Sequence, residues 1–323
     1  MTQKTALILG ATGGVGGAVA KALSARGWRI RALHRKGGAA CSTDGFEWVL
    51  GDAMSAADVV GAAKGASIIV HAVNPPGYRN WGKLVLPMID ASIAAAKASG
   101  ARIVLPGTVY NFGPDAWPIL REDSPQRPKT RKGAIRVEME RRLSAAAAEG
   151  VRSLVVRAGD FFGPGAGNNW FSQGLIAMGK PVTSIANPGR KGVGHQWAYL
   201  PDVAETIARL IEREDALGAF EVFHMDGQWD ADGTELVRAI ARAAGKPNLK
   251  AHAFPWWLII VASPFVTLFR EMREMRYLWR EPLRMDNSRL KAALGVEPHT
   301  PLDVAVRDTL AGLGCLARPP VAA

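Results

Sequence analysis

A chain of 323 residues, 48% of them hydrophobic, is long enough to bury the core of one large or two modest domains, which excludes a disordered or fibrous protein. The formal net charge is +11, but the lysines and arginines are scattered along the chain. We therefore expect a basic surface with sites for anionic ligands, and no nucleic-acid partner. Cys41 and Cys315 lie far apart and outside any metal-binding spacing, so we expect no metal site. A reduced, cytoplasmic location without a secretion signal is the simplest expectation.

The first half of the chain alternates short apolar runs with longer helical patterns. Strands are predicted at 5–9, 29–33, 47–50, 67–73, 102–105 and 153–157, and helices at 15–26, 56–64, 84–99 and 133–149. This alternation is typical of βαβ units, and it predicts an α/β fold with a Rossmann-type, doubly wound parallel sheet. Residues 1–165 are therefore interpreted as a dinucleotide-binding domain.

The pattern changes after residue 165. Glycine, asparagine and proline crowd residues 163–194, and strands are then predicted at 195–200 and 220–225, with a helix from Asp202 between them. We interpret residues 166–323 as a smaller, mainly substrate-binding C-terminal region, with some segments that return to the Rossmann sheet. We expect its partner to be a small-molecule substrate.

A glycine-rich turn follows the first predicted strand and opens the first predicted helix. Gly10, Gly13 and Gly16 stand in the spacing GxxGxxG. Glycine is needed there because the backbone must turn tightly, approach a pyrophosphate closely and offer N–H groups at a helix N-terminus. The residues predicted to contact the cofactor in this turn are Gly10, Thr12, Gly13, Gly14, Val15 and Gly16.

The end of the second predicted strand selects the nicotinamide cofactor, because a carboxylate there binds the ribose 2′-hydroxyl and an arginine accommodates a 2′-phosphate. This strand ends in His34, Arg35 and Lys36, with no acidic residue. We therefore expect NADP(H) to be preferred over NAD(H), with Arg35 as the main phosphate ligand. The alternative is that Arg35 and Lys36 are solvated turn charges. The cofactor residues predicted after the third and fourth strands are Asp52, Ala53, Ala72, Val73 and Asn74.

An apolar, tryptophan-containing stretch near the C-terminus needs a separate interpretation. Residues 254–269 would make a helix of about 24 Å, short of the ~30 Å hydrocarbon core of a bilayer, and Pro264 interrupts it. Residues 270–280 are basic, aromatic and amphipathic. We expect ordinary core packing here, while interfacial membrane contact, a homodimer face and a lid over an apolar substrate pocket stay open.

Several motifs together resemble the extended, NAD-dependent epimerase/dehydratase branch of the short-chain dehydrogenase/reductase superfamily. They are the GxxGxxG turn, Gly51-Asp52, residues 107–113, the Arg-x-x-x-x-x-Gly-Pro turn that begins at Arg157, and the segment 286–302. The resemblance covers nearly the whole chain and implies a nucleotide-binding fold. It also implies a Ser or Thr that holds the substrate oxygen, a role that falls on Thr108, and a Tyr-x-x-x-Lys pair for proton transfer and ribose binding.

The catalytic pair departs from that family, because Lys132 stands in place of the tyrosine and Arg136 in place of the lysine. This is similar to the isoflavone reductase and phenylcoumaran benzylic ether reductase group, which lacks the tyrosine and uses a lysine. We expect Lys132 to act as the acid/base and Arg136 or Thr108 to position ribose and substrate, since a partly desolvated ammonium beside Arg136 releases its proton more readily. The alternative roles of Lys132 are a cofactor phosphate or ribose ligand and a surface charge. Tyr110 is a second acid/base candidate, although packing at a strand end also explains it.

The resemblance implies that the Gly-Pro turn borders the nicotinamide and the substrate. Side chains on and after that turn are therefore predicted to line the substrate site. For His195 a structural role is the alternative, and no second histidine or acid at a ligand-like spacing supports a metal site. The predicted substrate-binding residues are Asp160, Asn168, Asn169, Trp170, His195 and Tyr199.

These features favour an NADPH-dependent reductase that acts on a carbonyl or related group of a small organic molecule. Two alternatives stay open. The family branch implies an NAD-dependent epimerase or dehydratase that acts on a nucleotide-sugar, which the missing Tyr-x-x-x-Lys pair disfavours. The other alternative is a catalytically silent NADP(H)-binding protein that regulates a partner.

Overall fold

A computed structural model describes residues 3–36, 45–75, 80–167 and 169–316 of the chain. The strands are β1 (Thr5–Leu9), β2 (Arg29–His34), β3 (Glu47–Leu50), β4 (Ile68–His71), β5 (Arg102–Gly107), β6 (Ile119–Leu120), β7 (Ser153–Arg157), β8 (Asp160–Phe162), β9 (Ile185–Asn187), β10 (His195–Tyr199), β11 (Phe220–His224), β12 (Gln228–Asp230), β13 (Ala251–Ala253) and β14 (Arg284–Met285). The α-helices are α1 (Gly14–Ser24), α2 (Ala56–Ala62), α3 (Trp81–Ser99), α4 (Arg131–Ala146), α5 (Leu200–Glu212), α6 (Glu235–Ala243), α7 (Trp256–Ala262), α8 (Thr267–Glu274), α9 (Ser288–Leu294) and α10 (Leu302–Gly312).

Seven strands build one parallel sheet in the order β11-β7-β5-β4-β1-β2-β3. The chain runs from β1 through β2 to β3 and then returns to β4 on the other side of β1. A crevice opens at such a change of direction, outside the carboxyl ends of the strands. The predicted doubly wound α/β fold is confirmed, and β11 brings the chain beyond residue 165 back to the sheet beside β7.

Helices cover both faces of this sheet because its central strands are apolar on both sides. Alternate residues of a strand point to opposite faces, so Leu7 of β1 belongs to the core shared with α2, α3 and α4, while Ile8 belongs to the core shared with α1 and α5. All five residues of β1 are buried. A strand buried on both faces reads as a continuous apolar run, which is why the sequence predicts these strands well.

Short strands and helices beyond residue 165 surround an aromatic core. One small sheet has the order β12-β10-β8, and β13 pairs with β9. The rings of Phe162, Phe171, Trp197 and Trp279 are buried together in this core. The tryptophans of this region therefore serve largely as packing residues.

The helices α7 and α8 differ from the core packing that the sequence predicts for residues 254–280. Ile259, Met275 and Trp279 are buried, but Trp257 and Phe265 are 70% and 89% exposed. The expectation of core packing is therefore wrong for one side of this stretch. Within the part of the chain that the structure describes, every helix is too short or too polar to cross a membrane.

A buried ion pair connects the sheet to α4. The guanidinium of Arg157 on β7 donates to the carboxylate of Glu140 on α4 at 2.5 Å, and the two side chains are only 1% and 5% exposed. Asn111, which follows β5, donates to the same carboxylate at 2.9 Å. Arg157 also donates to Nε2 of His224 on β11 at 2.9 Å. Together these contacts hold the loop after β5 and the helix α4 in one arrangement.

We expect Glu140→Gln to lower the free energy of unfolding by about 3–5 kcal/mol, because it leaves the Arg157 charge buried without its partner. Urea unfolding followed by circular dichroism measures the loss. The matched control is Glu138→Gln on the same helix, whose carboxylate is partly exposed and pairs with Arg141 and Arg142. That control should cost less than about 1 kcal/mol. Equal losses in the two variants would contradict the central role of the buried pair.

The network also makes stability depend on pH through His224. Burial and then the nearby Arg157 charge lower the pKa of His224 to about 3 from its usual 6.5. The ring stays neutral in the folded protein but takes up a proton on unfolding below pH 6.5, so the stability it contributes is present above pH 6.5 and is lost as the pH falls toward 3.

We expect His224→Gln to reduce the pH dependence of the unfolding free energy between pH 6 and 4, by up to about 1.4 kcal/mol per pH unit. Urea unfolding at a series of pH values measures this slope. His252→Gln is the control because His252 is exposed, and it should keep the slope of the unaltered protein. A slope that His224→Gln leaves unchanged would show that another group carries the proton uptake.

Candidate active site

A cleft of about 420 Å³ opens at the carboxyl ends of β1, β2 and β4, where the sheet changes direction. It extends from the end of β2, past the glycine turn, to α4 and the segment after β8. The structure therefore brings most of the predicted cofactor residues to one surface, together with two of the predicted catalytic residues.

The turn between β1 and α1 forms one wall of the cleft. Gly10 has a φ of +93°, and a Cβ at this position would lie 2.6 Å from the carbonyl oxygen of Ala72. A Cβ on Gly16 would lie 2.2 Å from the carbonyl oxygen of Gly10, so Gly16 keeps α1 close to β1 but is not part of the cleft wall. The residues of the turn that border the cleft are Gly10, Thr12, Gly13, Gly14 and Val15.

The N-terminus of α1 fits a pyrophosphate. Its N-cap is Gly13, no side chain caps the helix, and the first turn carries no acidic residue. The partial positive charge and the N–H groups at this end of the helix therefore face the cleft without a competing carboxylate. This is the arrangement that a dinucleotide needs.

The end of β2 forms the opposite limit of the cleft. His34 and Arg35 border it, whereas Lys36 is exposed and lies outside its lining. Asp52 and Ala53 also border the cleft, but Oδ1 of Asp52 already accepts from the backbone N–H of Met54 at 3.0 Å. The structure describes the end of β2 and the residues after it up to Lys36. Within this described stretch, His34, Arg35 and Lys36 are all non-acidic.

The segment after β4 lies between these two walls. The residues Ala72, Val73 and Asn74 line the cleft. β4 ends at His71 rather than at residue 73, because the chain leaves the sheet there to follow the cleft. The strand predicted over 67–73 was therefore two residues too long at its carboxyl end.

Thr108 and Arg136 border the other end of the cleft, near Pro106 and Asn169. Thr108 directly follows β5, and its Oγ1 accepts a hydrogen bond from the backbone N–H of Tyr110 at 3.3 Å. The Arg136 guanidinium lies 5.1 Å from the ring centre of Trp81 on α3. The structure thus places a hydroxyl and a guanidinium at the same end of the cleft.

Lys132 lies apart from the residues that line the cleft. Its side chain is 2% exposed, and its Nζ donates to Glu274 at 2.8 Å and forms a short ion pair with Glu271, both on α8. Two carboxylates therefore hold this ammonium, whereas Arg136 and the cofactor are the neighbours expected from the sequence. Its acid/base role stays a prediction. Tyr110 is buried in the 3-10 turn Val109–Asn111, in an apolar cluster outside the cleft lining.

The described residues among the predicted substrate ligands lie in three different places. Asn169 lines the cleft, whereas Trp170 packs against Trp279 in the aromatic core. The hydroxyl of Tyr199 donates to Asp308 at 3.3 Å in the same region. Burial, followed by the Asp308 charge, raises the pKa of Tyr199. Asn168 lies outside the described residues.

Asp160 and His195 form a pair of their own. The carboxylate of Asp160 lies 2.9 Å from Nε2 of His195, and Nδ1 of His195 lies 3.1 Å from the carbonyl oxygen of Leu278. The imidazole stacks on Trp279 with 3.9 Å between ring centres. These two residues border a separate cavity of about 10 Å³ rather than the cleft. The structure therefore does not join them to Thr108 and Arg136.

Sequence reasoning missed His71, which lines the cleft at the end of β4. Its Nδ1 bonds the hydroxyl of Ser92 at 2.8 Å, and that hydroxyl donates to the carbonyl oxygen of Met88. Burial and the charge of Arg136 lower the pKa of His71 to about 3, so the ring is neutral at physiological pH. A polar residue at the carboxyl end of a predicted parallel strand was the available signal.

Comparisons with known proteins agree with this fold. Residues 6–225 match the NAD dependent epimerase/dehydratase family. The 3-diazoavenalumate denitrifying reductase of a Streptomyces species is 30% identical over 260 residues, which are 75% of this chain and 82% of that protein.

Solved structures are similar to this chain in fold, at low sequence identity. MoeE5 in complex with UDP-glucose and NAD has a TM-score of 0.72 at 18% identity, over 96% of this chain and 98% of that chain. The UDP-glucose 4-epimerase of Thermotoga maritima, solved with UDP-glucose, has a TM-score of 0.74 at 16% identity, over 95% and 98% of the two chains.

The family match covers both the glycine turn and the strands whose ends form the cleft, so the resemblance seen in the motifs is confirmed. The chain belongs to the NAD-dependent epimerase/dehydratase family and is an NAD(P)-dependent, oxidoreductase-type enzyme.

Proposed function

We propose that this enzyme is an NADPH-dependent reductase that acts on a carbonyl or related polarised group of a small organic molecule. The observation that carries the cofactor preference is the end of β2, where His34 and Arg35 border the cleft and the residues described there, up to position 36, include no carboxylate. The Streptomyces relative supports the reductive direction, because its name is that of a reductase.

The cleft residues fit the parts of this cofactor in order. The N-terminus of α1 would hold the pyrophosphate, and Arg35 would pair with the 2′-phosphate in the bidentate way that a guanidinium allows. Arg136 lies at the other end of the cleft, where the nicotinamide ribose would stand. A reduced nicotinamide supplies a hydride when it is bound there.

Thr108 is the residue best placed to hold the substrate. Its Oγ1 accepts a hydrogen bond from the N–H of Tyr110, so the hydrogen of its own hydroxyl is available to an acceptor in the cleft. A carbonyl oxygen is such an acceptor, and a hydrogen bond to it stabilises the negative charge that develops during reduction. This geometry favours a carbonyl substrate.

A diazo compound is the second substrate class, because the Streptomyces relative is named for a diazo compound and for denitrification. In such a reduction a hydride forms a C–H bond while the C–N bond of a diazonium group breaks, and its electron pair leaves with dinitrogen. No oxygen has to be protonated. This chemistry therefore needs no proton donor at the position of the family tyrosine.

Nucleotide-sugar epimerisation is less well supported. The solved structure described above that is named an epimerase is 16% identical to this chain, a level that supports a shared fold and no more. The tyrosine that the resemblance implies for proton transfer is replaced by Lys132, whose ammonium is held by Glu271 and Glu274. We therefore retain reduction as the proposed reaction.

Arg35→Ala tests the cofactor preference. We expect it to weaken NADPH binding by about 10- to 100-fold, the effect of losing a charged hydrogen-bonded pair, and to leave NADH binding nearly unchanged. Calorimetric titration of the cofactor-free protein with NADPH, NADP⁺, NADH and NAD⁺ measures this. Arg29→Ala, at the other end of β2, is the control and should bind all four as the unaltered protein does. Preference for NAD⁺ in the unaltered protein would overturn the proposal.

Thr108→Val tests the site of reduction. With a carbonyl substrate found by screening for NADPH consumption, we expect kcat/KM to fall by about 10- to 100-fold, because the hydrogen bond to the developing oxyanion is lost. NADPH affinity in calorimetry should be retained. Tight NADPH binding without turnover of any carbonyl or diazo compound would instead favour a silent, regulatory NADP(H)-binding protein.

Lys132→Met separates the two substrate classes. If the proton of the product alcohol comes from this ammonium, kcat with a carbonyl substrate should fall by about 100-fold or more, whereas a diazo substrate should be turned over at nearly the original rate. Steady-state NADPH oxidation measures both. The control is Lys129→Met, which changes an exposed lysine on the same segment. An unchanged kcat with a carbonyl substrate would limit Lys132 to holding α8.

A further inference from the structure

The helices α7 and α8 and the turn between them expose a continuous apolar surface, which we call the apolar ridge. Phe265 in the turn is 89% exposed, and Trp257 and Val261 on α7 are 70% and 67% exposed. Solvent exposure of several large apolar side chains on neighbouring turns is unusual for a surface that faces only water. The residues of the apolar ridge are Trp257, Leu258, Val261, Phe265, Val266 and Leu268.

The inner side of the two helices is firmly attached to the protein, so the ridge is a formed surface. Ile259 is 4% exposed, and the indole N–H of Trp256 donates to the carbonyl oxygen of Pro188 at 2.8 Å. Arg273 of α8 donates to the hydroxyl of Ser263 at 3.2 Å, which ties α8 to the end of α7. The apolar side chains are therefore exposed by the fold and not by loose packing.

The charges around the ridge are sorted by sign. The carboxylates of α8, Glu271 and Glu274, turn inward to Lys132. The side chain of Arg270 is 61% exposed and lies 3.9 Å from the carboxylate of Glu271. Arg273 is also exposed, while its guanidinium donates to Ser263. No acidic residue occurs between positions 254 and 270 of the sequence. The surface next to the ridge is therefore cationic, on a chain whose formal net charge is +11.

We propose that the apolar ridge docks on the surface of an anionic lipid bilayer. Apolar and tryptophan side chains on one side with arginines beside them are the features of a helix that lies in the membrane interface. Each arginine that reaches an anionic surface strengthens binding by about fivefold at moderate ionic strength. The helices have 7 and 8 residues, so they lie in the interface and do not cross the bilayer.

Docking through the ridge would also hold the active site near the membrane. α8 contacts Lys132, and Arg136 in the cleft lies one helical turn further along α4. The enzyme would then receive apolar substrates that partition into lipid. The docking proposal is independent of the reductase proposal, because it concerns a surface outside the cleft and is tested without turnover.

The test is cosedimentation of the full chain with vesicles of phosphatidylcholine alone or of phosphatidylcholine with a quarter phosphatidylglycerol. We expect binding to the anionic vesicles that weakens in 0.5 M salt, because salt screens the arginines. Val261→Asp with Phe265→Asp should reduce the bound fraction at least about tenfold. Arg270→Gln with Arg273→Gln should weaken binding and flatten its salt dependence.

The matched control is Val296→Asp, which changes a valine that is 62% exposed outside the ridge and should bind as the unaltered protein does. Thermal unfolding verifies that each variant is folded. Failure of the unaltered protein to bind either vesicle, or equal loss in the Val296 control, would overturn the proposal. Light scattering gives a second outcome that would overturn the proposal. If the protein is a dimer that Val261→Asp dissociates, and no vesicle binding occurs, the ridge is a contact surface between two copies of the chain.

Discussion

The buried ion pair between Arg157 and Glu140 is the contact on which the geometry of the site depends. A buried charge is stable only beside a well-placed opposite charge, because water is not there to solvate it. The side chains of Arg157 and Glu140 therefore have one favourable position each. Because Glu140 also accepts a hydrogen bond from the side chain of Asn111, the loop after β5 cannot move independently of α4. Thr108 begins that loop and Arg136 lies on that helix, one turn before Glu140. The same pair therefore determines how the hydroxyl and the guanidinium of the cleft face each other.

A second charged cluster connects the C-terminal region to this arrangement. Lys132, at the start of α4, is paired with Glu271 and Glu274 of α8. Turning both carboxylates inward satisfies the buried ammonium and leaves arginines on the outer side of α8. One set of ion pairs thus has two effects, because it occupies Lys132, the predicted acid/base, and it leaves arginines beside the apolar ridge.

The predictions from sequence succeeded where the physics is local. Gly10 adopts a φ of +93°, and a Cβ on Gly16 would lie 2.2 Å from the carbonyl oxygen of Gly10, so the glycine spacing reflects backbone geometry within a few residues of the chain. The apolar run of β1 follows from burial on both faces. Those predictions depend on a residue and its near neighbours. The structure does not bring Asp160 and His195 to the cleft that Asn169 lines, because these two side chains pair with each other beside Leu278, far along the chain. Their substrate-binding role stays a prediction.

The sequence by itself determined the doubly wound fold, the glycine turn and the absence of a carboxylate at the end of β2, since each depends on backbone geometry and residue type within one segment. Only the tertiary structure decided the neighbours of Lys132 and the exposure of Trp257 and Phe265. The partners of Lys132 are 139 and 142 residues distant in sequence. An apolar helix has the same sequence pattern whether its outer side meets a core, a lipid or water, because periodicity records the shape of the helix and not what packs against it.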